Sequence, residues 1–165
     1  MVQNRIIYVM GVSGSGKSTI ARLLAEALEI PFADADDFHP EANVEKMGQG
    51  IPLQDEDRQD WLEAIHIFAQ DTLERTSIVI ACSALKEKYR QILQYQLEEQ
   101  VTWIFLKGSY ELILARMQQR KDHFMPETLL GSQFEALEEP QNAFVLDINK
   151  TPEELLNDAL GLFQK

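Results

Sequence analysis

One cysteine, Cys82, stands in a chain of 165 residues, so no internal disulfide can close and the spacing of a thiolate metal site is absent. It reads as a small core residue. Positive charge is also short: 15 Lys and Arg face 27 Asp and Glu, a net charge of −12. A surface of that sign repels phosphate polymers and anionic membranes, and no basic stripe interleaved with aromatics runs along the chain, so no nucleic-acid partner is expected. Any anionic ligand must be held by cations that the fold gathers locally. There is no apolar run long enough to span a bilayer and no charged-then-apolar leader, which leads to the expectation of a cytoplasmic protein without a membrane partner. Repeats, low-complexity segments and interdomain linkers are lacking too, and residues 1–165 read as one domain. Missing as well is the Asn-Lys-x-Asp sequence that reads guanine: Asn149-Lys150 is followed by Thr151-Pro152. That disfavours a GTP-dependent switch.

What is present begins with Arg5-Ile6-Ile7-Tyr8-Val9-Met10, an apolar run without polar alternation, which reads as a buried strand. The next eight residues, Gly11-Val12-Ser13-Gly14-Ser15-Gly16-Lys17-Ser18, satisfy the Gly-x-x-x-x-Gly-Lys-[Ser/Thr] pattern of a phosphate-binding loop. Its glycines let successive backbone N–H groups curl around phosphate oxygens. Lys17 adds a point charge at the β- and γ-phosphates, and the Ser18 hydroxyl is placed for Mg²⁺. A helix from Ser18 to about Glu29, with Thr19 in its first turn, aims its positive end at the same phosphates. Residues 11–19 are therefore the expected nucleotide site.

Downstream, strands are expected at Ile30–Ala33, Ile78–Cys82, Val101–Leu106 and Ala143–Asp147. Helices are expected at about Asn43–Met47, from Asp55 through Leu73, around Tyr89 and Arg90, at Tyr110–Gln119 and at Glu127–Leu137. A last helix is announced by a capping box, with Thr151 as N-cap, Pro152 first inside and Glu154 three on. Alternation of this kind predicts an α/β fold of the P-loop NTPase type: a five-stranded parallel sheet with helices on both faces. The polar break at Gln119-Arg120-Lys121-Asp122-His123 suits a mobile lid at about 119–127.

Asp34 and Asp36 lie at the end of the second strand, where ligands sit in open α/β sheets. One can reach the Mg²⁺ shell while the other accepts a proton from a substrate hydroxyl, and the spacing does not say which does which. Arg58, Lys86 and Arg90 are candidate cations for an anionic acceptor. Arg116 and Arg120, four apart, suit the edge of a nucleotide site, where a closing lid neutralises charge on the transferring group. His39 and His123 flank polar loops and are candidates for substrate contact. The Asn149–Pro152 turn, after the last strand, is expected to border the adenine.

Taken together, these stretches resemble the small bacterial-type gluconate kinases, or gluconokinases, of the nucleoside-monophosphate-kinase and shikimate-kinase branch of phosphate-loop proteins. The matching segments include Met10–Ser18, Asp34-Ala35-Asp36-Asp37-Phe38-His39-Pro40, Asn43–Met47, Gly50–Leu53, Asp55–Arg58 with Trp61-Leu62, Cys82–Lys86 with Tyr89-Arg90, His123–Pro126 and Ser132–Glu138, in the family's order. The resemblance implies Mg²⁺-dependent transfer of the ATP γ-phosphate to the 6-hydroxyl of D-gluconate, by a homodimer. It implies that Lys17, Asp36 and Arg120 act in catalysis, that Ser18 and Asp34 lie at the metal, and that Arg116 belongs with the nucleotide. Asp36, Arg58 and the segment from Lys86 to Arg90 would hold gluconate, joining His39 and His123 as the expected substrate contacts. Two positions depart from the family pattern: Asp122 stands where glycine is expected before His123, and Ala35 stands where glycine is common between the two aspartates. An acceptor other than gluconate, such as shikimate or a nucleoside monophosphate, is the alternative.

Overall fold

In a computed structural model of the protein, which describes residues 3–119 and 127–163, the apolar run after Arg5 forms the central strand β1 (Ile6–Met10), buried throughout. It lies between β3 (Ile78–Ala81) and β4 (Val101–Lys107), with β2 (Phe32–Asp34) beyond β3 and β5 (Phe144–Asp147) beyond β4. All pairings are parallel, in the order β2-β3-β1-β4-β5.

The period of two along β1 divides the core into two layers. Ile7 and Val9 join Ile20 and Leu24 of α1 (Lys17–Leu28) and Leu155 of α7 (Pro152–Gly161). Ile6, Tyr8 and Met10 face the other way, onto Trp61, Leu62 and Ile65 of α3 (Asp55–Leu73) and Leu93 of α4 (Glu87–Leu93). Each large apolar side chain so buried contributes roughly 1.5–3 kcal/mol. A strand covered on both faces is why no polar residue interrupts the run. Tyr8 stacks on Trp103 with ring centroids 4.5 Å apart, and burial holds its hydroxyl well above the usual phenol range.

The remaining helices are α2 (Glu41–Gly48), α5 (Tyr110–Gln119) and α6 (Glu127–Ala136). At the N-terminus of α7, Glu154 N donates to Thr151 Oγ1 at 3.2 Å and Thr151 N donates to Glu154 Oε1 at 3.0 Å, which is the reciprocal cap the sequence announces. No helix among the described residues is long and apolar enough to cross a membrane.

The second strand begins two residues later than expected. Glu29 ends α1 in the left-handed region, at φ 58°, and Ile30 N donates back to Ala25 O at 3.0 Å, so Ile30 closes the helix and does not join the sheet. The shift brings Asp34 to the strand's last position. Two short 3₁₀ turns, Ala35–Phe38 and Glu98–Gln100, are absent from the sequence reading. Arg120, Asp122 and His123, with most of the expected lid, lie outside the described residues.

Candidate active site

β1, β2 and β3 deliver their carboxyl ends to one side of the sheet, and the loop after β1 runs directly into α1. Gly16 caps that helix at φ 92° and Gly14 turns at φ 81°. At Gly14 a Cβ would lie 2.9 Å from Met117 Cγ of α5, so both backbone conformation and packing exclude larger residues there. Val12 points into the core, 3% exposed. The Ser15 hydroxyl is buried beneath the loop and has no hydrogen-bond partner among the described residues. Ser13 N donates to the Gln133 side-chain oxygen at 2.6 Å, which ties the loop to α6.

Ser18 Oγ donates to Asp34 Oδ2 at 2.7 Å, while Asp34 Oδ1 accepts from Asp36 N at 3.0 Å. Asp34 is therefore held by the first turn of α1 and by its own 3₁₀ turn, with a hydroxyl oxygen and a carboxylate oxygen side by side. Among the described residues there is no group of three His, Cys, Asp or Glu side chains fit to enclose a metal. A hydroxyl and a carboxylate that leave the other positions to phosphate oxygens and water suit Mg²⁺, which keeps most of its water and demands oxygen donors. The donor set fits that ion.

On one side of the loop, a cavity is lined by Lys17, Asp36, His39, Arg58 and Lys86, with Trp61, Ser83 and Gln133 also in its walls. Three cations and one carboxylate thus converge there, although the chain carries a net charge of −12. Arg58 is fixed by donating to Leu53 O at 2.6 Å and to the Tyr89 hydroxyl at 3.2 Å. Its guanidinium carbon lies 5.2 Å from the Tyr89 ring centroid, and Lys86 Nζ lies 5.7 Å from the same ring. Asp55, at the start of α3, gathers the group: its carboxylate accepts from Lys88, from the Tyr89 hydroxyl at 2.5 Å and from Lys86 at 3.4 Å. The hydrogen bonds from Lys88 and then Tyr89 hold the Asp55 carboxyl well below the usual carboxylate range. Burial and the bond to Asp55 push Tyr89 up to about 12.

His39 stacks on Trp61 with centroids 4.1 Å apart and an interplanar angle of 12°. Burial first, and the nearby Arg58 charge second, lower its pKa from 6.5 to about 4. The ring is neutral at physiological pH.

On the other side of the loop, Arg116, Lys150 and Pro152 line a groove with Gly14, Ser15, Gly16 and Thr19. Arg116 donates to Ile148 O at 2.6 Å, and Lys150 pairs with Asp158 at 2.8 Å. The phosphate loop is thus the wall between two chambers.

Arg90 is not brought to either, which corrects its place among the expected acceptor ligands. It is 3% exposed, and its guanidinium donates to Ala84 O at 2.6 Å, to Glu138 O at 2.8 Å and to the Glu87 carboxylate. Ala84 lies in the left-handed region at φ 44°, a conformation costing a non-glycine residue about 1–2 kcal/mol. Arg90 grips the carbonyl of that turn, which carries Ser83 and Lys86 to the cavity. Arg120 and His123 lie outside the described residues. Ser83 and Gln133 enter the cavity without any signal in the sequence beyond the family resemblance, and Trp61 is disguised there as one more core residue of α3.

A phosphate loop opening into a helix, an acid pair at and just beyond the end of β2 and a cationic cavity beside them define a phosphate-loop kinase of small molecules. The shikimate kinase family model matches residues 13–155. A gluconokinase from Arabidopsis thaliana is 42% identical over 98% of this chain and 93% of its own. The thermosensitive gluconokinase of Escherichia coli K12 is 51% identical over 81% of this chain and 71% of its own. The crystal structure of a gluconokinase from Sinorhizobium meliloti 1021 superposes with a TM-score of 0.87 at 40% identity, covering 98% of this chain and 92% of that one. The chain belongs to the shikimate kinase family, in its gluconokinase branch.

Proposed function

We infer that this protein is a gluconokinase, transferring the γ-phosphoryl group of ATP to the 6-hydroxyl of D-gluconate to give 6-phospho-D-gluconate and ADP. The observation that carries the reading is the shared cavity: Lys17 and Asp36 at the phosphate loop, Arg58 and Lys86 in the same walls. A sugar acid has a carboxylate at one end and a primary hydroxyl at the other. Arg58 and Lys86 would take the carboxylate, the Arg58 fork by paired hydrogen bonds and Lys86 as a point charge. Asp36 would accept the hydroxyl proton as its oxygen attacks the γ-phosphorus in line with the departing ADP oxygen. Lys17 would neutralise charge spreading over the transferring group, with the loop amides beside it. Ser18 and Asp34 would hold Mg²⁺, which when bound offsets the charge of the β- and γ-phosphates. The groove of Arg116, Lys150 and Pro152 would take the adenosine moiety. Family resemblance further supports a cytoplasmic homodimer as the working unit.

The test is ADP release by the purified protein with ATP and Mg²⁺, alone and with gluconate, shikimate or a nucleoside monophosphate. Release that depends strongly on gluconate is expected. Turnover of another acceptor in its place, or acceptor-independent hydrolysis, would overturn the reading.

A further inference from the structure

Asn43 is 3% exposed and sits in α2, which also contributes Met47 to the wall of the cavity proposed for the acceptor. Its Nδ2 is 2.7 Å from Asp57 O and 3.2 Å from His39 Nδ1. A backbone carbonyl only accepts, so the atom facing Asp57 O must be the amide nitrogen; the reversed amide would set two acceptor oxygens 2.7 Å apart. That nitrogen has two hydrogens, and the second points to His39 Nδ1. A nitrogen that receives a hydrogen bond carries no proton, so in the neutral ring the proton resides on Nε2. His39 Nε2 lies 4.0 Å from Asp36 Oδ1. That is too long for a direct hydrogen bond, yet one oxygen atom fits within about 2.8 Å of both. Stacking on Trp61 and a side chain only 4% exposed hold the ring plane in place.

We propose that Asn43 is a positioning residue for phosphoryl transfer: by donating to His39 Nδ1 it fixes the Nε2–H form of the imidazole, which then presents a donor beside the acceptor carboxylate of Asp36. The proposal rests on the reading of this cavity as the acceptor site. A hydroxyl about to be phosphorylated both gives a proton and has lone pairs to be oriented. Asp36 takes the proton, and an N–H at the same oxygen, or at its neighbouring hydroxyl, directs the lone pairs. An imidazole with an unprotonated Nε2 would compete with Asp36 for the hydroxyl proton and turn the oxygen away. The order of the parts is Asp57 carbonyl, Asn43 amide, His39 ring, substrate oxygen, Asp36. Asp57 is itself anchored, its carboxylate accepting from Lys46 at 2.9 Å and from Gln54 N at 2.8 Å, so the relay starts at a fixed point.

Long-range ¹⁵N–¹H NMR on the full-length, ¹⁵N-labelled wild-type protein near pH 7 reads the form of the ring without any substitution. His39 is expected to show a protonated Nε2 and an unprotonated Nδ1; a protonated Nδ1 would overturn the proposal. In Asn43→Ala the two forms should mix and kcat with gluconate should fall about tenfold, the worth of one hydrogen bond, while the KM for ATP is unchanged. In Asn43→Asp, where an acceptor replaces the donor, the proton should move to Nδ1 and kcat should fall further. An unchanged kcat in a folded Asn43→Ala that has lost the preference would also overturn it. If gluconate proves not to be the acceptor, the functional reading fails at the assay, whereas the wild-type spectrum still decides the form of His39.

Discussion

The two chambers beside the phosphate loop are built in different ways. The chamber proposed for the nucleotide centres on one unbroken stretch, Gly11 to Thr19, curved by left-handed glycines at 14 and 16, with Arg116, Lys150 and Pro152 along its far edge. The chamber proposed for the acceptor gathers Lys17, Asp36, His39, Arg58, Lys86 and Gln133 from elements and loops far apart in sequence, and three of these side chains are held by partners that line up behind them. Arg58 depends on Leu53 and Tyr89, Lys86 on Asp55, and His39 on Asn43 and Trp61. A contiguous backbone site tolerates changes around it, whereas an assembled one inherits the failure of every support. Substitutions on the two sides should therefore differ in kind.

The largest loss is expected from Lys17→Ala, on the wall the chambers share: a fall in kcat/KM on the order of 10²–10³, as for removal of one preorganised charge stabiliser. Near-normal turnover would break the assignment of the loop. Next comes Asp36→Asn, which should lower kcat by roughly 10² or more with little change in ATP affinity, because a base acts in the transition state and not in nucleotide binding. Equal losses in ATP affinity and kcat would erase the distinction between the chambers.

Two arginines sharpen it further. Arg58→Ala should raise the KM for gluconate by about tenfold to a hundredfold, the worth of a charged hydrogen bond, while the KM for ATP stays level. Arg90→Ala should instead lower the melting temperature, because it orphans Ala84 O and Glu138 O and frees a strained turn. A reversal of these two phenotypes in steady-state kinetics and thermal melts would show that the cavity has been drawn around the wrong arginine.

The smallest effect concerns pH. Folding lowers the His39 pKa from 6.5 to about 4, so between those values the unfolded chain binds more protons than the folded one. Stability therefore rises with pH through that window, is complete above about 6.5 and declines as pH falls toward 4. Melting curves should show this slope in the wild type and a flatter one in His39→Gln. Identical slopes would place His39 in a more open setting than its stack on Trp61.

Much of this is legible in the residues because the physics is local. The β1 run, the phosphate loop and the Thr151 cap each depend on neighbours within a few positions, and each stands where the pattern puts it. The start of β2 slipped because Ile30, apolar and β-branched, is spent on closing α1, a choice settled by a left-handed Glu29 that no propensity announces. Arg58 and Arg90 look alike as letters near helix starts. What separates them is which carbonyls happen to face each guanidinium, a matter of contacts 48 residues apart in the case of Arg90 and Glu138. The same holds for Gln133, whose bond to Ser13 spans 120 residues.

The account turns on the acceptor lying with its carboxylate on Arg58 and Lys86 and its far hydroxyl at Asp36 and the phosphate loop. ³¹P–¹H correlation NMR of the product formed from gluconate reads that orientation directly. Coupling of the phosphorus to the two methylene protons of carbon 6 is the predicted result, and coupling to a single methine proton from any inner hydroxyl would contradict it.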